Sequence, residues 1–325
     1  ALSGTTNALV NIGELLGRRD FDEARIKIGS LYEHYISFYR ALIREDDQQK
    51  KALEIVDEHF DFMNGLLEQP STEITDKELL AQGELLSTRL FCCYLDEAGI
   101  KNQLLPALDF MAIDEHDEPE LAYLRSQLQD QLSRYSDHSL FITQGYICLN
   151  PRKQIDNLKR GGSDYTASLI GAALLTDLVE IWTDIDGMHN NDPRVVENTR
   201  PVAELSFTEA SELAYFGAKI LHPSSILPAR KYNIPVKLRN TMDPGAPGTL
   251  IHGEERSSQV KAVAAKDGIT AIKIKSTRML LAYGFLRKIF EIFENYKTPI
   301  DMITTSEVAV SLTIDGDKAL KEITD

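Results

Sequence analysis

The densest group of chemistry-bearing residues lies in residues 158–177, LKRGGSDYTASLIGAALLTD. A basic pair, Lys159 and Arg160, precedes Gly161, Gly162, Ser163 and Asp164. Paired glycines permit a tight turn with no Cβ in the way. Ser163 can cap the helix that follows, which the pattern predicts over residues 164–175. That helix is apolar on most sides, through Ala167, Leu169, Ile170, Ala172, Ala173 and Leu174, and is expected to be buried. Free N–H groups, the positive end of the helix dipole and a guanidinium converge at its start, a combination that suits an anion. An ordinary glycine loop between a strand and a helix reads the same way, and this segment alone leaves both open.

Downstream, residues 179–187 (VEIWTDIDG) alternate in the manner of a strand, and Asp184, Asp186 and Asp192 gather at its end. Three carboxylates beside a phosphate site can hold Mg²⁺ directly or through water. They can equally be turn-forming aspartates. Gln82-Gly83-Glu84 sits inside a helix expected over residues 76–98. A helix-interior glycine costs about 1 kcal/mol relative to alanine, so it points to a packing or site reason. Glu84 beside it reads as a site carboxylate or as a surface one. Lys219 follows a capping-box helix that begins at Ser206 and stops at Gly217. It is either solvated or in contact with a nucleotide.

The elements that would position these residues follow from periodicity. Helices are expected over residues 8–16, 20–44, 46–68, 76–98 and 121–132, and a buried strand over Ser139–Ile147. Strand, glycine turn, buried helix and strand form a β-loop-α-β unit, which builds a parallel sheet with ligands at the strands' carboxyl ends. A strand at 234–239 is followed by a Pro/Gly-rich loop at 243–248 that closes the first domain. Beyond it, Lys266-Asp267-Gly268 signals a hairpin between 260–265 and 269–275. A helix over 284–295, with Phe285, Leu286, Ile289, Phe290 and Phe293 inward, leads to strands at 300–304 and 308–314 and a further helix start. This β-α-β-β-α order is half of a ferredoxin-like unit, too small to bury its core alone.

Composition excludes several classes. The 325 residues carry a net charge of -15 with no offsetting basic cluster, which argues against nucleic acid. No apolar run reaches the roughly 18 residues of a membrane helix. Three cysteines, two of them adjacent at Cys92 and Cys93, make neither a disulfide framework nor a metal spacing, and read as buried thiols of a reducing, cytoplasmic compartment. The sequence opens ALSGTTN, without methionine or a signal peptide, and is expected to be part of something longer.

Taken in order, SGTTN (3–7), QGE (82–84), ITQG (142–145), RGGSDYTA (160–167), WTDIDG (182–187), DPR (192–194), FGAKILHP (216–223), GFL (284–286) and ITTSEVAVSLTID (303–315) resemble aspartate kinase. The closest likeness is to the monofunctional, lysine-inhibited type. The resemblance implies an α/β amino acid kinase fold, a mainly parallel sheet between helix layers, over residues 1–255. It implies a ferredoxin-like α+β ACT regulatory domain, incomplete, over 256–325. The implied reaction is transfer of the ATP γ-phosphoryl group to the side-chain carboxylate of L-aspartate, with Mg²⁺, as a first step of amino-acid biosynthesis. A homodimer or higher homo-oligomer is expected, because the half-unit exposes sheet edges and an apolar helix face.

By the same resemblance, Arg160 grips a substrate carboxylate, and Gly161, Gly162 and Ser163 offer N–H and hydroxyl donors. Glu84 receives the substrate ammonium and Thr6 binds the aspartate from the opening loop. Asp164 sits at the reaction centre, orienting a catalytic lysine or the metal. Thr183, Asp184, Arg194 and Lys219 bind ATP. Met279, Phe285, Leu286, Asp301, Thr305 and Glu307 fall at the effector site, whose acidic pair suits the ammonium groups of lysine. The family's opening Lys-Phe-Gly-Gly-Thr-Ser strand is not in this sequence, so this length of chain is expected not to catalyse by itself. His189 stands where relatives have tyrosine, and Ala282 and Pro299 stand where lysine-sensitive relatives have serines. Two other readings are a kinase acting on glutamate or its derivatives and a non-catalytic amino-acid sensor. A Lys-x-Gly-Gly motif upstream of Ala1 separates the sensor from the enzyme.

Overall fold

The computed structural model describes residues 1–68, 72–158, 161–216, 221–254, 260–276, 283–316 and 319–324. The chain forms two compact units, Ala1–Val263 and Ala264–Asp325.

The first unit opens with four helices, α1 (Thr5–Gly17), α2 (Phe21–Leu42), α3 (Asp46–Gly65) and α4 (Glu73–Glu97). Their apolar stripes meet in one core through Leu9, Ile28, Tyr35, Phe60, Leu79 and Leu86. Asp20 caps α2, and a Thr72–Thr75 capping box starts α4. Then come β1 (Gln103–Leu104), α5 (Leu121–Arg134), β2 (Phe141–Ile142), β3 (Ile147–Leu149) and β4 (Ile155–Asn157). The single buried strand expected over 139–147 is not present. β2 is two residues long and pairs in parallel with β1, whereas Ile147 begins a hairpin with β4. Tyr146, at φ 72°, breaks the run between them.

Next are α6 (Gly162–Leu174), β5 (Val179–Thr183), β6 (Glu204–Ser206), α7 (Phe207–Tyr215), α8 (Leu227–Lys231), β7 (Val236–Asn240) and β8 (Thr249–His252). The sheet order is β5-β7-β8-β6, with β5/β7 and β6/β8 parallel and β7/β8 antiparallel. The loop at 243–248 therefore turns the chain back into the sheet, and β8 extends the domain beyond it. Ala172 and Ala210 pack from helices onto Val179, Ile181, Val236 and Ile251. A third core joins α4, α5 and α6 through Ala81, Leu124, Leu128, Leu169 and Ala173. The α6 N-cap is Gly161, not Ser163, which lies exposed as the helix's second residue. Gly161 at φ 74° and Gly162 at φ 56° lead the chain into the helix through left-handed backbone, and no side-chain hydrogen bond among the described residues caps it.

The second unit is β9 (Ile269–Lys275), α9 (Phe285–Asn295), β10 (Met302–Thr305), β11 (Ala309–Asp315) and α10 (Leu320–Thr324), with an antiparallel sheet ordered β10-β11-β9. The hairpin expected at 260–275 does not form. Residues 260–265 make no strand, and β9 pairs with β11 along seven residues instead. The longer ladder outweighs a local turn signal. Ile289 and Phe293 of α9 are buried against Val310, Leu312 and Ile314 and Phe285 packs beside them, but Leu286 and Phe290 face outward at 39% and 44% exposure.

Candidate active site

Gly83 explains itself by packing. A Cβ there would lie 3.1 Å from the side chains of both Ala1 and Thr5 and 3.3 Å from Leu9, so its absence lets α1 close onto α4. The opening loop thereby comes to Glu84, whose Oε2 is 2.9 Å from the Ala1 nitrogen. Glu84 is part-buried rather than a free surface carboxylate, at 22% side-chain exposure. Thr5, not Thr6, is buried, and its hydroxyl meets Tyr35 Oη at 3.1 Å, while Thr6 is exposed in the first turn of α1. Behind Glu84, Gln82 is fixed by a buried network. Its Oε1 accepts from His59 Nδ1 at 2.6 Å, and Arg89 donates to His59 Nε2 at 3.1 Å and to Glu58 at 2.8 Å. Burial lowers the His59 pKa, consistent with a neutral ring that donates on one side and accepts on the other.

Gln144 joins this helix to the glycine turn. Its Nε2 donates to Thr88 Oγ1 at 2.8 Å, Thr88 donates to the Glu84 carbonyl at 2.9 Å, and Gln144 Oε1 accepts from Ala107 N–H at 2.8 Å. The next residue, Gly145, has no room for a side chain, since a Cβ would stand 2.8 Å from Ser163 Cβ. Thr166 Oγ1 accepts the Tyr146 N–H at 2.9 Å. On the other side of the turn, a Cβ on Gly161 would lie 2.6 Å from Ser225 Cβ. Ser225 is fully buried, held by its hydroxyl to the His222 carbonyl at 2.6 Å. The ITQG loop, residues 161–164 and Ser225 are thus brought together around the start of α6. Asp164 lies in the first turn of that helix, and desolvation raises its carboxyl pKa above the ordinary value. A charge-bearing group kept partly dry at a helix N-terminus is what a reaction centre requires.

The strand-end loop is built differently. Thr183 ends β5, and its hydroxyl makes a local turn with Ile185 N–H at 3.1 Å and Ile185 O at 3.2 Å. Asp184 is exposed. Asp186 bonds His189 Nε2 at 2.6 Å, and His189 Nδ1 meets Thr199 Oγ1 at 2.8 Å. Asp192 holds Arg194 bidentately, at 2.6 Å to Nη2 and 3.0 Å to Nε. Thr249, wholly buried, accepts the Met188 N–H at 2.8 Å and donates to the Val202 carbonyl at 2.7 Å, so β8 fixes the loop's far end. The three aspartates do not form a cage. Asp186 and Asp192 are engaged with His189 and Arg194, and no group of three His, Cys, Asp or Glu among the described residues can hold a metal ion.

Arg160, Lys219 and Met279 lie outside the described residues. Of the other effector-site expectations, Phe285 and Leu286 open α9, Asp301 precedes β10, Thr305 ends it, and Glu307 is exposed in the turn to β11. Gln82, Thr88, Gln144, Ser225 and Thr249 were not singled out as site-building residues. Gln82 and Gln144 do stand inside the QGE and ITQG motifs, which was the available signal.

A model of the amino acid kinase family matches residues 5–240. The chain is 32% identical to the crystal structure of Escherichia coli aspartokinase III in complex with lysine and aspartate (T-state), with a TM-score of 0.79 over 100% of this chain and 75% of that one. The chain belongs to the amino acid kinase family, and within it to the aspartokinases. The R-state of aspartokinase III, in complex with aspartate and ADP, matches at 33% identity and a TM-score of 0.76, covering 97% of this chain and 70% of that one. Among curated proteins, lysine-sensitive aspartokinase 3 of Escherichia coli (strain K12) is 40% identical over 249 residues, 75% of this chain. This aspartokinase chain spans 55% of that relative's length. No helix among its described residues is long and apolar enough to cross a membrane.

Proposed function

We propose that the protein to which this chain belongs transfers the γ-phosphoryl group of ATP to the side-chain carboxylate of L-aspartate, giving 4-phospho-L-aspartate and ADP. The observation that supports this reading is the close approach of Gly145 of the ITQG loop to Ser163 at the start of α6, with Gln144 linked through Thr88 to the Glu84 carbonyl, in a chain of aspartokinase family. Glu84 takes the substrate ammonium, and Thr6, from the first turn of α1, also binds the aspartate. Arg160 takes the α-carboxylate. The side-chain carboxylate then points at the start of α6, where Gly161, Gly162 and Ser163 offer donors. A carboxylate oxygen attacks the γ-phosphorus, the bond to the β-bridging oxygen breaks, and ADP leaves. The nucleophile is already ionised, so Asp164 has no proton to remove. Its role is to orient a cationic group at the reaction centre. Thr183, Asp184, Arg194 and Lys219 hold the nucleotide. Catalysis is positioning and charge neutralisation, because two anions must meet in line. Mg²⁺ bound with the nucleotide would supply further neutralisation of the phosphate charge.

Residues 256–325 act as an ACT-type regulatory domain that binds an amino acid, lysine, at Met279, Phe285, Leu286, Asp301, Thr305 and Glu307. The names of the relatives, one lysine-sensitive and one in complex with lysine, support that effector. A second copy of the chain covers the exposed edge strand β10 and the outward Leu286 and Phe290, giving a homodimer. The compartment is the cytoplasm, in keeping with three free cysteines. The test is hydroxylamine trapping of acyl phosphate by the full-length protein, with ATP and Mg²⁺. Hydroxamate is expected from aspartate and not from glutamate, lost in Arg160→Ala and Glu84→Ala and suppressed by lysine. Folded full-length protein that makes none from aspartate would overturn the reading.

A further inference from the structure

Between α4 and β4 lies an ion pair outside the set of residues given roles above. Lys77 Nζ is 2.8 Å from Asp156 Oδ2, with the Asp156 side chain at 6% exposure and the Lys77 side chain at 19%. Asp156 Oδ1 accepts the Asn157 N–H at 2.7 Å. The pair is therefore shielded on both sides, where a salt bridge is geometrically exacting and breaking it is costly. Its placement matters more than its energy. Lys77 lies seven residues before Glu84, two turns along the same face of α4. Asp156 lies in β4, the strand that feeds the glycine turn at Gly161. One partner is rigidly linked to the group that takes the substrate ammonium, the other to the segment that takes its carboxylate and presents the reacting end. Tyr146 sits within electrostatic range of both halves. Burial, then the negative charges of Asp156 and Glu84, raise its pKa, and Lys77 opposes them.

We infer that Lys77 and Asp156 are positioning residues that fix the separation between the ammonium-binding and carboxylate-binding ends of the amino-acid site, and so set affinity for the amino-acid substrate without touching it. The inference rests on the function proposed above. A misplacement of about 1 Å in such a site is expected to cost one to two orders of magnitude.

The test uses the full-length protein carrying Asp156→Asn, Lys77→Met and the reversed pair Lys77→Asp with Asp156→Lys. Each single variant is expected to raise KM for aspartate about tenfold while KM for ATP stays within about twofold, and the reversed pair to recover part of the loss. Asp156→Asn keeps the shape and an acceptor for Lys77, so it is the variant that stays folded. Hydrogen exchange of the 161–163 amides is read in parallel and is expected to quicken at least several-fold in the single variants. It needs no substrate, so it decides the coupling even if the wild type makes no acyl phosphate from aspartate. Equal changes in both KM values, or unaltered exchange at 161–163 in folded Asp156→Asn, would overturn the inference.

Discussion

The ends of the site proposed for the amino acid and for the nucleotide are held by opposite means. At the first, backbones meet directly. Gly83 lets the opening segment pack closely, while Gly145 admits Ser163 and Gly161 admits Ser225 at distances no side chain tolerates. Buried Gln144, Thr166 and Ser225 fill what remains. At the second, side chains bond to near neighbours at the surface. Thr183 reaches Ile185, Asp186 reaches His189, and Asp192 reaches Arg194. The first end is shaped by packing, whereas at the second Arg194 lies at the surface in an ion pair with Asp192, which a polyphosphate must displace to engage it. Small, doubly charged amino acids reward fixed geometry, because discrimination between homologues differing by one methylene depends on the distance between charges. A polyphosphate with a wide hydration shell rewards adaptable cations.

Gly161→Val tests that contrast hardest. A branched side chain at φ 74°, facing Ser225 at 2.6 Å, must unwind the turn. Loss of roughly 10²-fold or more in kcat/KM is expected, with destabilisation of about 2–4 kcal/mol by urea unfolding. A variant that kept wild-type KM for aspartate would break the comparison.

Asp164→Asn should separate stability from function. The raised pKa of Asp164 means that the folded state favours the protonated carboxyl. That contribution is present below the unfolded value and is lost as pH rises through the folded one, so the wild type bears the cost of a desolvated charge at neutral pH. Asparagine removes the cost. Expected are a loss of kcat of about 10²–10³-fold and a gain in stability of about 1 kcal/mol at pH 7, with a flatter stability profile through the carboxylate range. A calorimetric series from pH 4 to 8 reads both signs.

Arg194→Ala is the mildest. Its guanidinium is 67% exposed and bonded to a neighbour two residues away, so stability should move by less than about 0.5 kcal/mol. KM for ATP should rise about threefold, with KM for aspartate unchanged. A parallel rise in both would mean that the two ends are coupled.

The sequence made the pieces of the site visible and left their joints obscure. The glycine turn, α6 and the capping box at Ser206 were legible because each depends on residues close in the chain. Ser163 was misread as the cap because capping chemistry favours a hydroxyl, and only the paired positive φ angles assign that role to Gly161. The strand at 139–147 failed because Gly145 and Tyr146 answer to Ser163 and Thr166, about 20 residues ahead. Of the two readings of the strand-end aspartates, the turn-forming one describes Asp186 and Asp192, which bond to partners within three residues. In the second unit, outward Leu286 and Phe290 share the apolar character of inward Ile289 and Phe293, and periodicity could not tell the faces apart.

The strand order β5-β7-β8-β6 also bears on how the chain acquires its shape during synthesis. β6 leaves the ribosome about 45 residues before its only hydrogen-bonded neighbour in that sheet, β8, which at ~5–20 residues per second is a wait of about 2–9 s. Through that interval β6 is unpaired, β7 presents an open edge only late in it, and the loop that Thr249 will fasten has no anchor. A nascent chain stalled short of Thr249 would therefore be a sticky intermediate, and chaperone demand should fall sharply once β8 has emerged.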